Sequence, residues 1–508
     1  MRKKSISIIL ALAAFFLFVI QTSSSAFTPV RPDDVPKLKE TGELDSMMKQ
    51  WFDYIEKNPT KNYSPEDLIQ IPQKIEQIQE MLISDSPVFK SDIDLDANGV
   101  IDERDFLELG YPAERQAQAY WEAPSIGEQK TIVILVDFDD RPGDPQHGSG
   151  YFYDLIFSEN KLPNPSMRDY YLENSHDLLD VVGTVADSGV NGGWFRINEP
   201  SSNYYGFDNA PYLVNKAIDL ADPLIDFSQF DNGNNGEVES LMVVVSGERS
   251  GSTFWPHKWN LYEARQVDDV WVYPYFLSTE DSKMGIFAHE HGHAMGLPDL
   301  YDYDYDTWGV GDWCIMGFGC YGGGGAVPVH MSAWCKYQLG WVDVVNVTDD
   351  LTRAELVGTP AMDSIYRVWS NGQSGAQYFL IENRRKLGYD AYLPGEGVLI
   401  WHIDHYGDQR NQNHRLVDLE EADGLDDIDT MENKGDTGDP YYLESGINRF
   451  TDFTYPNAHK YNGSTSGIKI TSVSEQGEIM YAALSNNPFG IEEVEPIEPG
   501  SAEPVPKI

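Results

Sequence analysis

His289, Glu290 and His293 carry the clearest chemistry in this 508-residue chain. Two histidines four residues apart project from one face of a helix and can share one zinc ion. Glu290 sits beside the first of them. Its carboxylate can act as general base toward a zinc-bound water, whose pKa the metal brings down to about 7. This H-E-x-x-H pattern is that of zinc-dependent peptide hydrolysis. Gly296 follows His293 by three residues, and Asp299 follows Gly296 by three. A glycine at that offset can end the helix and turn the chain back, so that Asp299 becomes the third ligand. Asp302, Asp304 and Asp306 follow in the same loop, which leaves Asp302 as the alternative third ligand.

Downstream, Trp313-Cys-Ile-Met-Gly-Phe-Gly319 places Met316 between glycines in a tight turn. It resembles the Met-turn that metzincin-type enzymes put beneath their zinc histidines. Only three cysteines occur, Cys314, Cys320 and Cys335, and no Cys-x-x-Cys pair, so a metal site here must be built from histidine and carboxylate. A Cys314–Cys320 disulfide is conceivable, but spacing alone does not decide the pairing.

A second metal pattern lies nearer the N-terminus. Asp94, Asp96, Asn98, Asp102 and Asp105 fall at positions 1, 3, 5, 9 and 12 of an EF-hand-like loop, with the Val100 carbonyl at 7 and Gly99 at 6. These residues predict structural calcium. A weaker version at 231–239 lacks carboxylates at positions 3 and 5. The net charge of −46 and a pI near 4.3 exclude nucleic acid or an anionic membrane surface as a natural partner.

These motifs need elements to hold them. Residues 1–26 read as a signal peptide: Arg2, Lys3 and Lys4, an apolar run from Ile6 to Ile20, then small residues ending at Ala26. Export to the extracellular space follows, with no permanent membrane anchor. Residues 27–122 read as a helical pro-region, for which an ordinary N-terminal helical domain is the alternative. Three apolar runs, 131–138, 180–185 and 240–245, predict buried strands. Helices are expected at 167–174 and, carrying the zinc motif, at 282–295. The fold class is α+β: a catalytic domain over 123–345 with a twisted, largely parallel sheet and an active-site helix, then a β-rich domain over 346–485. On the strand from Gly397, alternation puts His402 and Asp404 opposite His405, so ordinary strand polarity is expected there in place of a metal site. Proline and glutamate dominate 486–508, which reads as a disordered tail.

The chain resembles the immune inhibitor A family of secreted bacterial zinc metallopeptidases. The resemblance runs from about Lys130 to Leu484. It rests on Leu135-Val-Asp-Phe138, 226–231, Trp255-Pro-His-Lys-Trp259, 287–301, 327–341, 379–383 and 397–404. It implies a metzincin-like zinc endopeptidase exported as a zymogen with structural calcium, and His289, Glu290 and His293 match its catalytic motif. The pro-region holds no cysteine, so no cysteine switch can keep the enzyme latent, although the propeptide could inhibit by other means. The expected function is hydrolysis of peptide bonds in extracellular proteins or peptides. The alternative is a non-catalytic, calcium-dependent surface or adhesion protein that retained the fold. An intact Glu290 weighs against it, since a scaffold needs no general base.

Overall fold

The computed structural model describes residues 26–27, 49, 122–160, 165–250, 253–303 and 305–487. The expected signal peptide, the helices of the pro-region, the calcium loop from Asp94 to Asp105 and the acidic tail lie outside the described residues, apart from the few positions named. The chain divides into two compact units. One comprises Met1–Asp299 with 324–326 and 338–340, and the other comprises 300–323, 327–337 and Trp341–Ile508.

The first unit is built on an eight-stranded sheet. Its strands are β1 (Ala26–Phe27), β2 (Gly127–Phe138), β3 (Leu179–Val185), β4 (Phe195–Ile197), β5 (Glu237–Val238), β6 (Leu241–Val245), β7 (His257–Val267) and β8 (Val270–Thr279). The main path runs β1-β7-β8-β6-β2-β3, with β4 paired to β2 and β5 to β8. From β3 through β2, β6 and β8 every pairing is parallel; β7 is antiparallel to β8, and β1 to β7. The largely parallel sheet expected from the apolar runs is therefore present. All five residues of β6, Leu-Met-Val-Val-Val, are buried, as a strand covered on both faces requires. Each such side chain contributes about 1.5–3 kcal/mol on leaving water.

Among the described residues four helices accompany this sheet: α1 (Ser149–Ile156), α2 (Met167–Asn174), α3 (Ala210–Ala221) and α4 (Met284–Ala294). Helices α1 and α2 pack on β3 and α4, while α3 packs on β2, β4 and β7. The start of α2 is written locally. The Ser166 hydroxyl accepts from the Asp169 amide and the Asp169 carboxylate accepts from the Ser166 amide, a reciprocal cap.

The second unit holds two further sheets. One is β14 (Val417–Leu419), β13 (Gly397–Asp404), β12 (Gln377–Arg384), β11 (Ser364–Trp369) and β9 (Asp343–Asn346), antiparallel except where β9 meets β11. The other is β10 (Leu351–Val357), β17 (Ile479–Ser485), β16 (Lys469–Thr471) and β15 (Phe450–Thr451), antiparallel throughout. Alternate residues of both enter one core, among them Phe379 and Ile381 of β12, Val398 and Ile400 of β13, and Ala482 and Leu484 of β17. The unit is β-rich, as the sequence pattern implies.

Candidate metal centre

Helix α4 carries the histidines. All eleven of its residues, Met-Gly-Ile-Phe-Ala-His-Glu-His-Gly-His-Ala, are buried, although four of them are polar. A buried helix of mixed polarity must satisfy its polar groups from outside its own backbone. His291, the middle histidine, bonds through Nε2 to the Gln129 side chain on β2, and its ring meets Tyr171 edge-on at 5.3 Å between centroids. Burial lowers its pKa to about 3, so it is neutral and structural. The Tyr171 hydroxyl donates to the Ala288 carbonyl at 2.5 Å, tying α2 to the turn that precedes His289. Sequence reasoning passed over both Gln129 and Tyr171. Their only signal is a polar residue at the head of an apolar strand and a second aromatic in a short helix.

The C-terminal end of α4 is set by Gly296, whose φ is +89°. Its amide donates to the His293 carbonyl at 3.0 Å and the next amide, Leu297, reaches back to Gly292 at 3.2 Å, the paired bonds of a left-handed helix stop. The reversal also presents the Leu297 carbonyl to His293 Nδ1 at 2.7 Å. A carbonyl only accepts, so Nδ1 carries the proton and Nε2 is left with its lone pair.

That lone pair points into a cluster. His293 Nε2 lies 3.1 Å from His289 Nε2, and the Asp299 Oδ1 atom lies 3.1 Å from the first histidine's Nε2 and 3.2 Å from the second's. All three side chains are buried. The triangle is nearly equilateral and its donor set is two nitrogens and one oxygen. Ligands about 2.1 Å from a tetrahedral zinc stand about 3.4 Å apart, so the residues fit that ion. They also call for a cation, because the Nε2 lone pair of His293 faces a carboxylate oxygen. Glu290 is fully buried on the same helix.

Asp302 is committed elsewhere. Its carboxylate accepts from the Thr307 amide at 3.2 Å and hydroxyl at 3.4 Å, closing its own loop. Met316, in the second unit, is fully buried in the tight turn expected there: the Gly317 amide donates to the Cys314 carbonyl at 3.0 Å. The three cysteines are free thiols, and Cys314 Sγ lies 3.8 Å from Cys335 Sγ. In the loop at 231–239 the carboxylates are taken up by hydrogen bonds, Asp231 by the amides of Asn235 and Gly236, Glu239 by those of Asn232 and Gly233. On β13, His402 pairs with Glu420 at 2.9 Å and Asp404 with His414 at 2.7 Å, so these are strand polar groups with partners.

Two residues at the border of the described chain touch this centre's supports. The Ala123 amide donates to the Ala294 carbonyl at 2.8 Å, and a side chain at Gly296 would meet the Glu122 carboxylate at 2.6 Å. Burial lowers the pKa of Lys258 to about 8, and the charge of Glu122 opposes that fall.

Residues 117–342 match the family model described as "Immune inhibitor A peptidase M6, catalytic domain". The resemblance read from the sequence is borne out over that stretch. Among curated proteins the chain is similar to the pre-pro-metalloprotease PrtV of Vibrio cholerae serotype O1 (strains M66-2 and ATCC 39315 / El Tor Inaba N16961). Identity is 26% over 371 residues, covering 58% of this chain and 39% of the relative. It is also similar to Immune inhibitor A of Bacillus thuringiensis subsp. alesti, at 26% over 293 residues, covering 44% of this chain and 42% of the relative. The chain thus spans about two fifths of the length of these relatives.

Proposed function

We propose, with the peptidase M6 match over residues 117–342 as the premise, that this chain is a zinc-dependent endopeptidase acting on extracellular proteins or peptides. The observation that carries the reading is the convergence of His289, His293 and Asp299 on one point, with Glu290 on the same helix. A bound zinc ion would supply Lewis acidity, both to a water and to the scissile carbonyl. His289 and His293 would hold it through Nε2, the second fixed in its tautomer by Leu297, and Asp299 would offset part of its charge. Glu290 would take the proton from the attacking water and hand it to the leaving amine. Met316 enters only as the Met-turn residue that the resemblance implies.

The same reading takes 1–26 as a signal peptide, 27–122 as a pro-region with calcium at Asp94, Asp96, Asn98, Val100, Asp102 and Asp105, 123–345 as the catalytic domain, 346–485 as the β-rich domain and 486–508 as a tail. Latency is part of it. The pairing of Phe27 with His257 supports it, since the first residue of the pro-region lies on the edge of β7, where an extended peptide could otherwise add a strand. Among the described residues no helix is long and apolar enough to cross a membrane.

Casein digestion with and without a zinc chelator, beside a short-peptide assay, tests the proposal. Casein cleavage that the chelator stops, that zinc restores and that Glu290→Ala lowers by about 10² or more is the expected result. Full activity in the chelated protein or in Glu290→Ala would overturn the reading.

A further inference from the structure

Cys314, Cys320 and Cys335 all belong to the second unit and all are fully buried. Proximity in the sequence offers Cys314 and Cys320 as a pair. The structure brings a different two into contact. Cys314 Sγ and Cys335 Sγ lie 3.8 Å apart although 21 positions separate the residues in the chain. Both main chains are held where the sulfurs meet. Cys314 stands in the tight turn before Met316, and its carbonyl accepts from the amides of Gly317 at 3.0 Å and Gly319 at 3.1 Å. A side chain at Gly319 would come within 2.6 Å of that carbonyl oxygen, so the turn closes this tightly only on glycine.

Cys335 occupies the first turn of helix α5 (Ala333–Leu339). Ser332, immediately before that helix, ties the two cysteines to one another. Its amide donates to Cys314 Sγ at 3.3 Å, and its hydroxyl accepts from the Cys335 amide at 3.4 Å, as a capping hydroxyl does. One residue therefore sets both the sulfur of the turn and the backbone of the helix. A disulfide requires its sulfurs about 2.05 Å apart, about 1.7 Å closer than these two stand. Rotations of about 30° at the two Cα–Cβ bonds move sulfurs by that amount in total.

We propose that Cys314 and Cys335 are a disulfide-forming pair, joined as the chain folds, and that the bond staples the turn around Met316 to the start of α5 while Cys320 keeps its thiol. The oxidant is a small disulfide, of the class an exported chain meets on leaving the cytosol. The Cys314 thiolate attacks one sulfur of the oxidant, forming a mixed disulfide and releasing one thiolate. The Cys335 thiolate then attacks the Cys314 sulfur. The internal S–S bond forms, the mixed one breaks, and the second half of the oxidant leaves as a thiolate. Both protons given up by the cysteines end on the released thiols, so two protein thiols are oxidised and one disulfide is reduced. Burial of both sulfurs places this exchange before the core closes and shields the bond from reductants afterwards. The inference does not rest on the peptidase reading, since it requires only that the folding chain meet a disulfide.

Cell-free synthesis of the full-length chain, once with a reduced and oxidised glutathione couple and once with a reductant, tests this apart from export and from activity. The product is unfolded, alkylated with iodoacetamide without reduction and cut with chymotrypsin. Cuts after Trp313, Phe318, Tyr321, Trp334 and Tyr337 put each cysteine on its own peptide. The expected result is a linked pair of peptides carrying Cys314 and Cys335, lighter by two hydrogens than the separate thiol peptides, with the alkyl label on Cys320 alone. The oxidised protein should melt about 5–10 °C above the reduced one. Cys314→Ala and Cys335→Ala should each abolish that difference, and Cys320→Ala should keep it. Should an alanine variant fail to fold, as checked by circular dichroism, the wild-type peptide map and melting curves still decide. Label on all three cysteines, a linkage that includes Cys320, or equal melting of the oxidised and reduced proteins would each overturn the proposal.

Discussion

At the scale of single residues, the two aspartates in the loop after Gly296 have separate duties. Asp299 Oδ1 stands within 3.2 Å of both histidine nitrogens, whereas the Asp302 carboxylate is occupied by Thr307. Asp299→Ala should therefore lose most of its zinc after dialysis, by metal analysis, while Asp302→Ala should keep nearly all of it and lose loop stability instead. Equal zinc in wild type and Asp299→Ala would remove Asp299 from the ligand set. The spacing alone pointed to Asp299, because a glycine in the left-handed region leaves little chain before the next ligand. The spacing could not reveal which carboxylate a neighbouring hydroxyl and amide would claim. Nor could it show that His291, sitting in the same motif, is held neutral by Gln129 and burial.

At the scale of elements, legibility followed local signals. Helix α2, expected at 167–174, spans Met167–Asn174, and its cap residues, Ser166 and Asp169, stand next to its apolar positions. Strands β2, β3 and β6 were visible as apolar runs. The hairpin of β7 and β8 was not. Lys258 and Asn260 alternate with Trp259 and Leu261, a pattern that predicts an exposed polar face, and the surrounding fold nonetheless buries both of them. His257 shows the cost of this arrangement. It is buried, bonded to the Trp255 carbonyl at 2.7 Å, and burial lowers its pKa to about 4. The unfolded chain takes up a proton near pH 6.5 that the folded one refuses, so this contribution to stability is whole above 6.5 and declines as pH falls toward 4. Urea unfolding should show a loss of about 2 kcal/mol from this group between pH 7 and pH 5. His257→Gln should be less stable at pH 7 but flatter over that interval. Parallel curves for the two proteins would show that His257 titrates normally.

At the scale of the whole molecule, the question is where the chain is cut. If, as proposed, 27–122 restrains the enzyme, full-length protein should cleave casein more slowly than a form trimmed near residue 123. Equal rates would dismiss the restraint. The described structure makes the choice of cut site matter. Glu122 lies over Gly296, its charge opposes the fall in the Lys258 pKa, and it precedes the amide that closes α4. Removing Glu122 exchanges a negative charge for a new ammonium one residue later, beside a lysine that has little access to water. A cut upstream of Glu122 avoids that exchange. The mature protein should consequently have a sharp minimum length. Intact mass spectra should show termini that are ragged on the upstream side and end abruptly at Glu122. Proteins engineered to begin at Ala123 should melt several degrees lower than those beginning at Trp121, though the two differ by only two residues.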